Sequence, residues 1–356
     1  MIRCAHISDL HFAKPSWKIN QFFSKKWIGN ANFYLRRRSQ FCFENIEALP
    51  LLFKQLGVSK VMITGDLTTT SDEKEFLMAQ TFIQRLEEQG LLVLLLPGNH
   101  DQYTKTAFSR KTYYRFFPSC FSKSTCNLKD DGLTVVEIGN KWSAIILDTA
   151  IATPPLACYG FFSVKLEERL KQALKQMPKN HKVLILNHFP LLYKESPEKG
   201  LKRSEALCDL IKKFPQVNLY LHGHTHRHCI ADLRQSGLPI ILDSGSIIEK
   251  KTGSWNLIEL HEKEFWVENF KGNVSFLLYY NLVFSHLEFS DLIPSTIKTF
   301  FFGFAIGLVG CFKGYNCKKG TAGVGLAANS AVVVSSLLLF IIDFIAVFIT
   351  NIFYNI

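Results

Sequence analysis

No two of the nine cysteines, at positions 4, 42, 120, 126, 158, 208, 229, 311 and 317, form a C-x-x-C pair, and their number is odd. This pattern argues against a disulfide framework and for reduced thiols in a cytoplasmic compartment. A signal peptide is not expected, because Arg3 to Ser8 already reads as a strand feeding a functional motif. Acidic residues are in deficit, 30 against 41 basic ones, giving a formal charge of +11 and a pI of about 9.1. Such an excess implies an anionic partner: nucleic acid, a phosphorylated substrate or an acidic membrane surface. Charge is scarce from Thr299 onward, where Phe, Ile, Leu, Val, Gly and Ala dominate. What remains, 356 residues with 47% hydrophobic content, supports a sizeable core in one large domain or two ordinary ones.

Several short apolar runs end abruptly in metal-binding side chains. Leu92 to Leu96 stops at Pro97-Gly98 and is followed by Asn99-His100-Asp101. Arg3 to Ser8 delivers Asp9-Leu10-His11, whose ligand-type residues, two apart, project to the same side of extended or turning backbone. Lys60 to Thr64 ends at Gly65-Asp66, Val183 to Leu186 at Asn187-His188, and Val217 to Leu221 at the run from His222 to His226. Residues at strand carboxyl ends gather along one edge of a sheet. Leu133 to Ile138 and Trp142 to Asp148 read as a hairpin turned at Gly139-Asn140, and strands near Leu238 to Leu242 and Trp255 to Leu260 complete the inventory. Helices are predicted over Glu73 to Gln89, stopped by Gly90, and after a Ser163 cap, with Leu166, Leu170, Leu174 and Met177 on one face.

Two segments are basic and aromatic. Residues 14 to 38 hold Lys14, Lys18, Lys25, Lys26, Arg36, Arg37 and Arg38 among Trp17, Phe22, Phe23, Trp27, Phe33 and Tyr34; Thr104 to Phe117 repeats the pattern. Aromatics among cations suit a water–lipid interface or a cap over an anionic amphiphile, and single-stranded nucleic acid competes for the same signal. Lys25, Lys26, Trp27, Arg36, Arg37 and Arg38 are the candidate substrate contacts.

Lone histidines are usually hydrogen-bonded core residues, the expectation for His6, His181, His228 and His261. Asp9, His11, Asp66, Asn99, His188, His224 and His226 are too many donors for one transition ion and about right for two, with Asp66 the natural bridge. Manganese is favoured over iron or zinc, and the set holds no cysteine for a structural zinc. Two divalent ions about 3.5 to 4 Å apart lower the pKa of a bridging water and neutralise a phosphoryl group under in-line attack. His100 is the expected catalytic group, contacting phosphate or protonating the leaving oxygen, with Asp101 orienting its imidazole.

The blocks HISDLH, ITGDL, PGNHD, LNH and HGHTH, in that order over about Met1 to Gly272, resemble the five signature blocks of the calcineurin-like metallophosphoesterases. The resemblance implies an α/β fold, a four-layer αββα sandwich. It implies one ion on Asp9, His11, Asp66 and His226, and the other on Asp66, Asn99, His188 and His224. FFSKKWIGNANFYLRRR and KTYYRFFP are similar to a branch that cleaves the pyrophosphate of UDP-2,3-diacylglucosamine in lipid A synthesis. The better-known lipid A hydrolase of this superfamily carries Arg where this chain has His100, a departure from that group.

Phe300 to Phe312 is membrane-like but short for an unassisted span, whereas Leu326 to Thr350 is long enough to cross with tilt; Asp343 within it is expected to face protein. GCFKGYNCKKGTAGVGLAANSAVVVSSLLLFIIDF resembles the C-terminal part of the permease of MlaE-type ABC lipid transporters, which would bring a partner permease and an ATPase. The predicted division is therefore 1–272, a phosphoesterase domain, and 273–356, a hydrophobic membrane segment. Lys313, Lys318 and Lys319 vote for a cytoplasmic loop between the spans, and Val274 to Phe284 is a candidate further crossing. Reduced thiols and a nucleotide-linked substrate favour the inner membrane with the catalytic domain on the cytoplasmic side.

The expected function is hydrolysis of UDP-2,3-diacylglucosamine to UMP and a diacylglucosamine 1-phosphate. Its rivals are a cyclic-nucleotide or other phosphodiesterase, a binding module that has lost catalysis, and a transport component; nucleic acid is not the expected partner.

Overall fold

The computed structural model describes residues 1–15, 24–41, 43–121, 124, 126–155, 157–193, 196, 198–250, 252–271 and 289–354. Trp17, Lys18, Phe22 and Phe23, the side chains of Arg36 and Arg37, and the stretch 274–284 lie outside them. The chain divides into two units, Met1–Asn273 and Val274–Ile356.

The first unit is built on two sheets. One takes β1 (Ile2–Ile7), β2 (Lys60–Ile63), β3 (Leu92–Leu95), β12 (Ser254–Leu260) and β13 (Phe265–Lys271) in the order β13-β12-β1-β2-β3. The other takes β4 (Leu133–Gly139), β5 (Trp142–Leu147), β7 (Lys182–Leu186), β9 (Val217–His222), β10 (His228–Asp232) and β11 (Ile240–Ser244) in the order β10-β11-β9-β7-β5-β4. β6 (Gly160–Phe161) and β8 (Leu201–Lys202) form a separate two-stranded pair. Within the first sheet β1, β2 and β3 are parallel; within the second, β5, β7, β9 and β11 are.

Side-chain alternation makes the layers. Cys4, Met62 and Leu94 from one sheet join Ala144, Ile146, Leu184, Leu186, Leu219 and Leu221 from the other in one buried cluster, so the sheets pack face to face. The alternate residues Ala5, Ile7, Val61, Ile63, Val93 and Leu95 are buried on the opposite face. There the helix Glu73–Glu88 packs on β3, and Phe53 of the helix Leu49–Gln55 meets Trp255 at 5.0 Å. On the second sheet's outer face Ile145, Leu147, Val183 and Ile185 pack with Leu166, Leu170 and Leu174 of Val164–Gln176 and Leu207 and Ile211 of Ser204–Lys212. Helix, sheet, sheet, helix: this is the four-layer αββα sandwich.

Local chemistry explains most boundaries. Ser163 accepts the Leu166 N–H at 3.1 Å and starts its helix; Gly90, at φ +80°, follows the end of Glu73–Glu88. The hairpin turns on Asn140 and Lys141, both at positive φ, one residue later than the expected Gly139-Asn140, because a bulge between Glu137 and Gly139 shifts the register and leaves Gly139 paired with Trp142 as the last residue of β4. His6 is fully buried and bonded to Thr64 Oγ1 at 3.0 Å, as the core expectation required, whereas His181, His228 and His261 are only half-buried.

The second unit comprises the helices Phe289–Tyr315 and Thr321–Tyr354, packed as an antiparallel hairpin. Thr296–Tyr315 and Thr321–Ala346 are each long and apolar enough to cross a membrane. The first is thus longer than the run Phe300 to Phe312, since Thr296, Ile297 and Lys298 belong to the same helix. Asp343 meets Lys298 Nζ at 2.6 Å, which neutralises the one acidic side chain of the second span.

Glu75 carries a pH-dependent part of stability. It is fully buried, accepts the Thr70 N–H at 2.8 Å and the Thr70 hydroxyl at 3.1 Å, and closes a capping box with Asp72. Burial pushes its carboxyl up to about 7, against the pull of those donors. A folded-state pKa above the unfolded one favours folding below the unfolded value and loses that contribution as pH rises through about 7. Glu75→Gln should therefore gain in Tm relative to the parent as pH rises from 5 to 8, measured by thermal melts in detergent; a difference independent of pH would contradict this.

Candidate dinuclear metal centre

The ligand-bearing strand ends come from two facing sheets, not from one edge. β1, β2 and β3 are neighbours in the first sheet and deliver Asp9 with His11, Asp66 and Asn99; β7 and β9 are neighbours in the second and deliver His188 and His224 with His226. Five of these seven residues leave their strands in left-handed backbone: Asp9 at φ 56°, His11 at 43°, Asp66 at 53°, His224 at 71° and His226 at 56°. Each such non-glycine residue costs on the order of 1 kcal/mol or more. Cross-loop hydrogen bonds hold the conformation: Asp9 N–H to Gly65 O at 3.1 Å, His11 N–H to Asp66 O at 2.9 Å and His224 N–H to Asp9 Oδ2 at 2.9 Å.

All seven side chains converge, as two groups. In the first, His11 Nε2 lies 3.0 Å from His226 Nε2, and Asp9 Oδ1 lies 3.6 Å and 3.2 Å from those two nitrogens. In the second, Asn99 Oδ1 lies 3.1 Å from His188 Nε2 and 2.9 Å from His224 Nδ1. Asp66 Oδ2 sits between the groups, 3.4 Å from His188 Nε2 and 3.8 Å from His11 Nε2, the position of a shared ligand.

The donor chemistry fits a pair of cations. Asp9 Oδ1 is buried and accepts no hydrogen bond, an arrangement that costs free energy unless a cation faces it. Each imidazole has its other ring nitrogen against an acceptor: His188 Nδ1 on Thr64 O at 2.7 Å, His224 Nε2 on Lys199 O at 2.6 Å, His226 Nδ1 on Glu249 Oε1 at 3.0 Å and His11 Nδ1 on Thr68 O at 3.4 Å. Those contacts place the proton on the outer nitrogen and leave a lone pair facing the centre, as metal-bound histidines require.

Charge within the centre is strongly coupled. Burial alone would raise the Asp9 and Asp66 carboxyls; the imidazoles beside them, His226 and His188 for Asp9 and His188, His100 and His11 for Asp66, hold both well below the usual carboxylate range. Burial and the neighbouring His188 push His224 down to about 3, while at His188 burial is outweighed by Asp66 and Asp9, which lift it to about 9, so a cation that takes the His188 Nε2 lone pair displaces a proton from it.

His100 stands at the rim. Its backbone N–H donates to Asp66 Oδ1 at 2.7 Å and its Nδ1 faces Thr69 O at 2.6 Å, while its ring stacks on Tyr103 at 5.1 Å. Asp101 does not do the orienting expected of it. Its oxygens accept from Leu67 N at 3.1 Å, Thr68 N at 2.8 Å, Thr68 Oγ1 at 2.9 Å and Gly98 N at 2.9 Å, so it braces the two ligand loops and the Thr69 carbonyl holds the imidazole. Glu249 and Tyr103 escaped sequence reasoning, since neither belongs to a strand-end block. Among the candidate substrate contacts, Lys25 Nζ is bound to Thr153 Oγ1 at 2.9 Å and Lys26 Nζ to Asp72 Oδ2 at 3.3 Å; Trp27 is half-buried and Arg38 exposed.

A cleft of about 580 Å³ opens over the centre. Asp66, Asn99, His100, His224 and His226 form one end, and Pro190, Leu192, Tyr193, Ala231 and Leu233 supply apolar wall, with Lys199 and Arg227 beside it.

Glycine is required where the two ligand loops touch. A Cβ on Gly98 would fall 2.2 Å from Asp66 Oδ1 and 2.5 Å from the Asp66 nitrogen. Gly98→Ala should consequently lower bound divalent metal to one ion per chain or fewer, by elemental analysis, with the circular dichroism spectrum unchanged. Full occupancy would show that Asp66 is not the shared ligand.

Residues 2–228 match the family model for calcineurin-like phosphoesterases, and residues 263–349 match the one for the permease MlaE. The 3',5'-cyclic adenosine monophosphate phosphodiesterase CpdA of Escherichia coli is 25% identical over 217 residues, covering 56% of this chain and 70% of that protein. A probable ABC transporter permease protein of Rickettsia prowazekii is 41% identical over 78 residues, 22% of this chain and 29% of the permease. Among solved structures, a dimetal phosphatase from Danio rerio has a TM-score of 0.54 at 15% identity, covering 76% of this chain and 96% of the other; this likeness supports the fold alone. With the signature blocks on adjacent strand ends and a family match over well more than half its length, the chain belongs to the calcineurin-like phosphoesterases, metal-dependent hydrolases of phosphoric esters.

Proposed function

We propose that the protein hydrolyses a phosphate group bridging two substituents, with UDP-2,3-diacylglucosamine as the first substrate, released as UMP and a diacylglucosamine 1-phosphate. The observation that carries this reading is the cleft: Asp66, Asn99, His224 and His226 of the donor set line it together with His100, and so do the apolar side chains of Pro190, Leu192, Ala231 and Leu233. The chain also carries two helices apt to cross a membrane, which suits a lipid-linked substrate.

Asp9, His11, Asp66 and His226 would hold one divalent ion, and Asp66, Asn99, His188 and His224 the other, manganese being favoured over iron or zinc. Bound there, such ions supply Lewis acidity toward phosphoryl oxygens and a water of lowered pKa. Asn99 contributes a neutral oxygen, which avoids one more negative charge beside a phosphate. His100, with Nδ1–H fixed on the Thr69 carbonyl, offers Nε2 to the cleft, where it carries a proton to the departing oxygen. The Tyr103 ring stacked on it limits its rotation.

A second reading, cyclic-nucleotide hydrolysis, is favoured by the similarity to the Escherichia coli phosphodiesterase and to a 3',5'-cyclic-nucleotide phosphodiesterase of Nostoc, 26% identical over 169 residues. The permease-like end spans less than a third of the permeases it matches, so we read it as an anchor in the inner membrane with the catalytic unit cytoplasmic. Co-purification of a permease and an ATPase would instead favour a transport role.

Purified full-length protein with Mn²⁺ should release UMP from UDP-2,3-diacylglucosamine in preference to cyclic nucleotides, an aryl diester or a monoester; preference for cyclic nucleotides selects the second reading. On the best substrate His100→Ala should lower kcat by about 10²- to 10⁴-fold with metal content retained, and undiminished turnover would remove His100 from the reaction.

A further inference from the structure

Between Asp9 and Glu44 the chain has no acidic residue and seven basic ones. Within this stretch the helix Lys25–Asn32 runs into a wider helical turn over Phe33–Arg37. Its two sides differ in what they touch.

The inner side is tied to the rim of the metal centre. Lys25 Nζ donates to Thr153 Oγ1 at 2.9 Å and to Thr153 O at 3.1 Å and lies 4.5 Å from the centre of the Tyr103 ring, the ring that stacks on His100. Lys26 Nζ donates to Ser71 O at 3.2 Å. Gly29 is pressed so closely that a Cβ would lie 2.9 Å from Thr70 Cγ2 and 3.0 Å from Tyr103 OH. Phe33 is buried with its ring 6.2 Å from Phe41, which stacks on His11 at 5.9 Å.

The outer side presents large apolar groups beside the Arg38 guanidinium. Leu35 is 81% exposed, Tyr34 55% and Ile28 42%; Arg38 is also exposed, its guanidinium 5.2 Å from the centre of the Tyr34 ring. Among the described residues, the packing that secures the helix lies on the other side, and exposing Leu35 and Ile28 to water gains nothing for the fold.

We propose that the outer side of Lys25–Arg38 docks on the surface of an anionic lipid bilayer, with Leu35 and Ile28 entering the acyl boundary and the basic residues meeting lipid phosphates. Three observations favour a bilayer over a protein partner. Charge on the stretch is of one sign, complementary to anionic lipid. Three exposed side chains fall far short of the roughly 800 Å² per partner of a stable protein interface, yet suffice for shallow insertion assisted by charge. The same chain bears two helices long and apolar enough to span a membrane, so a bilayer surface is present at high effective concentration. Because the inner side reaches Tyr103 and through it His100, docking would also steady the catalytic rim; that consequence rests on the hydrolytic reading, and the docking itself does not.

The full-length protein should be reconstituted in nanodiscs of phosphatidylcholine with or without phosphatidylglycerol, and hydrogen–deuterium exchange followed in peptides covering 25–38. Exchange is expected to slow several-fold when phosphatidylglycerol is present, and that slowing should vanish in Ile28→Glu/Leu35→Glu, and shrink in Leu35→Ser, with the circular dichroism spectrum unchanged. Equal exchange in both discs, or slowing that survives in both variants, overturns the proposal. Protection that appears in detergent alone and grows with protein concentration overturns it in favour of a second copy of the chain. No substrate enters this measurement, so failure of the hydrolytic reading leaves a distinct signature, loss of turnover with the exchange difference intact.

Discussion

The Asp66 carboxylate is the interaction on which the site depends. Its Oδ1 takes the His100 N–H at 2.7 Å, which fixes the loop after β3, and its Oδ2 faces one imidazole from each donor group, His188 at 3.4 Å and His11 at 3.8 Å. To reach that place, Asp66 adopts left-handed backbone, and Gly65 and Gly98 bring their chains so close that a Cβ on Gly65 would lie 2.8 Å from the Gly98 nitrogen. A single side chain therefore couples two loops of the first sheet to a histidine of the second. Its negative charge, deep in the protein, is balanced within the site by surrounding imidazoles and, on our reading, by cations.

The two-sheet architecture follows from the same need. Parallel strands within one sheet are about 4.8 Å apart, so a row of five strand ends would spread ligands over nearly 20 Å. Facing two sheets across a shared apolar cluster folds that row in half: β1, β2 and β3 lie opposite β7 and β9. Buried strain and buried charge are then supported by rigid neighbours on both sides, including the four donors that converge on Asp101.

Much of this was legible in the sequence because strand and ligand are encoded side by side. An apolar run such as Leu92 to Leu96 followed at once by Pro97, Gly98, Asn99 and His100 carries both the element and its function in about nine residues, and all seven proposed ligands converge. Longer-range contacts were not legible. Glu249 reaches His226 from a different loop, and Asp101 turns toward Thr68 instead of the adjacent imidazole, choices made by tertiary geometry with no local signature. The edge strands β10 and β13 were missed for a related reason: HCIAD and FWVENFK do not read as clean alternation between a core face and a water face. Likewise, the first membrane-type helix seemed short because its polar beginning, with Lys298, makes sense only once Asp343 is known to meet it.

The division between what the strand ends do and what the basic segment does has a physical basis. Donors at strand ends are placed by hydrogen-bonded sheets and can be held to tenths of an ångström, which suits the generic task of polarising a phosphate. Choosing a substrate requires contact with what lies beyond the phosphate, and that falls to walls and loops. Here Lys25 and Lys26, plausible phosphate contacts by composition, instead donate to Thr153, Ser71 and Asp72. Each half-buried cation is better satisfied by fixed protein oxygens than by a transient ligand, since leaving it unpaired between turnovers would cost desolvation each time the site emptied. The consequence is that these two lysines are committed to the protein's own oxygens, and on our reading discrimination among substrates falls to the side chains that line the cleft, Pro190, Leu192, Tyr193, Lys199 and Arg227 among them, not to direct capture by Lys25 and Lys26.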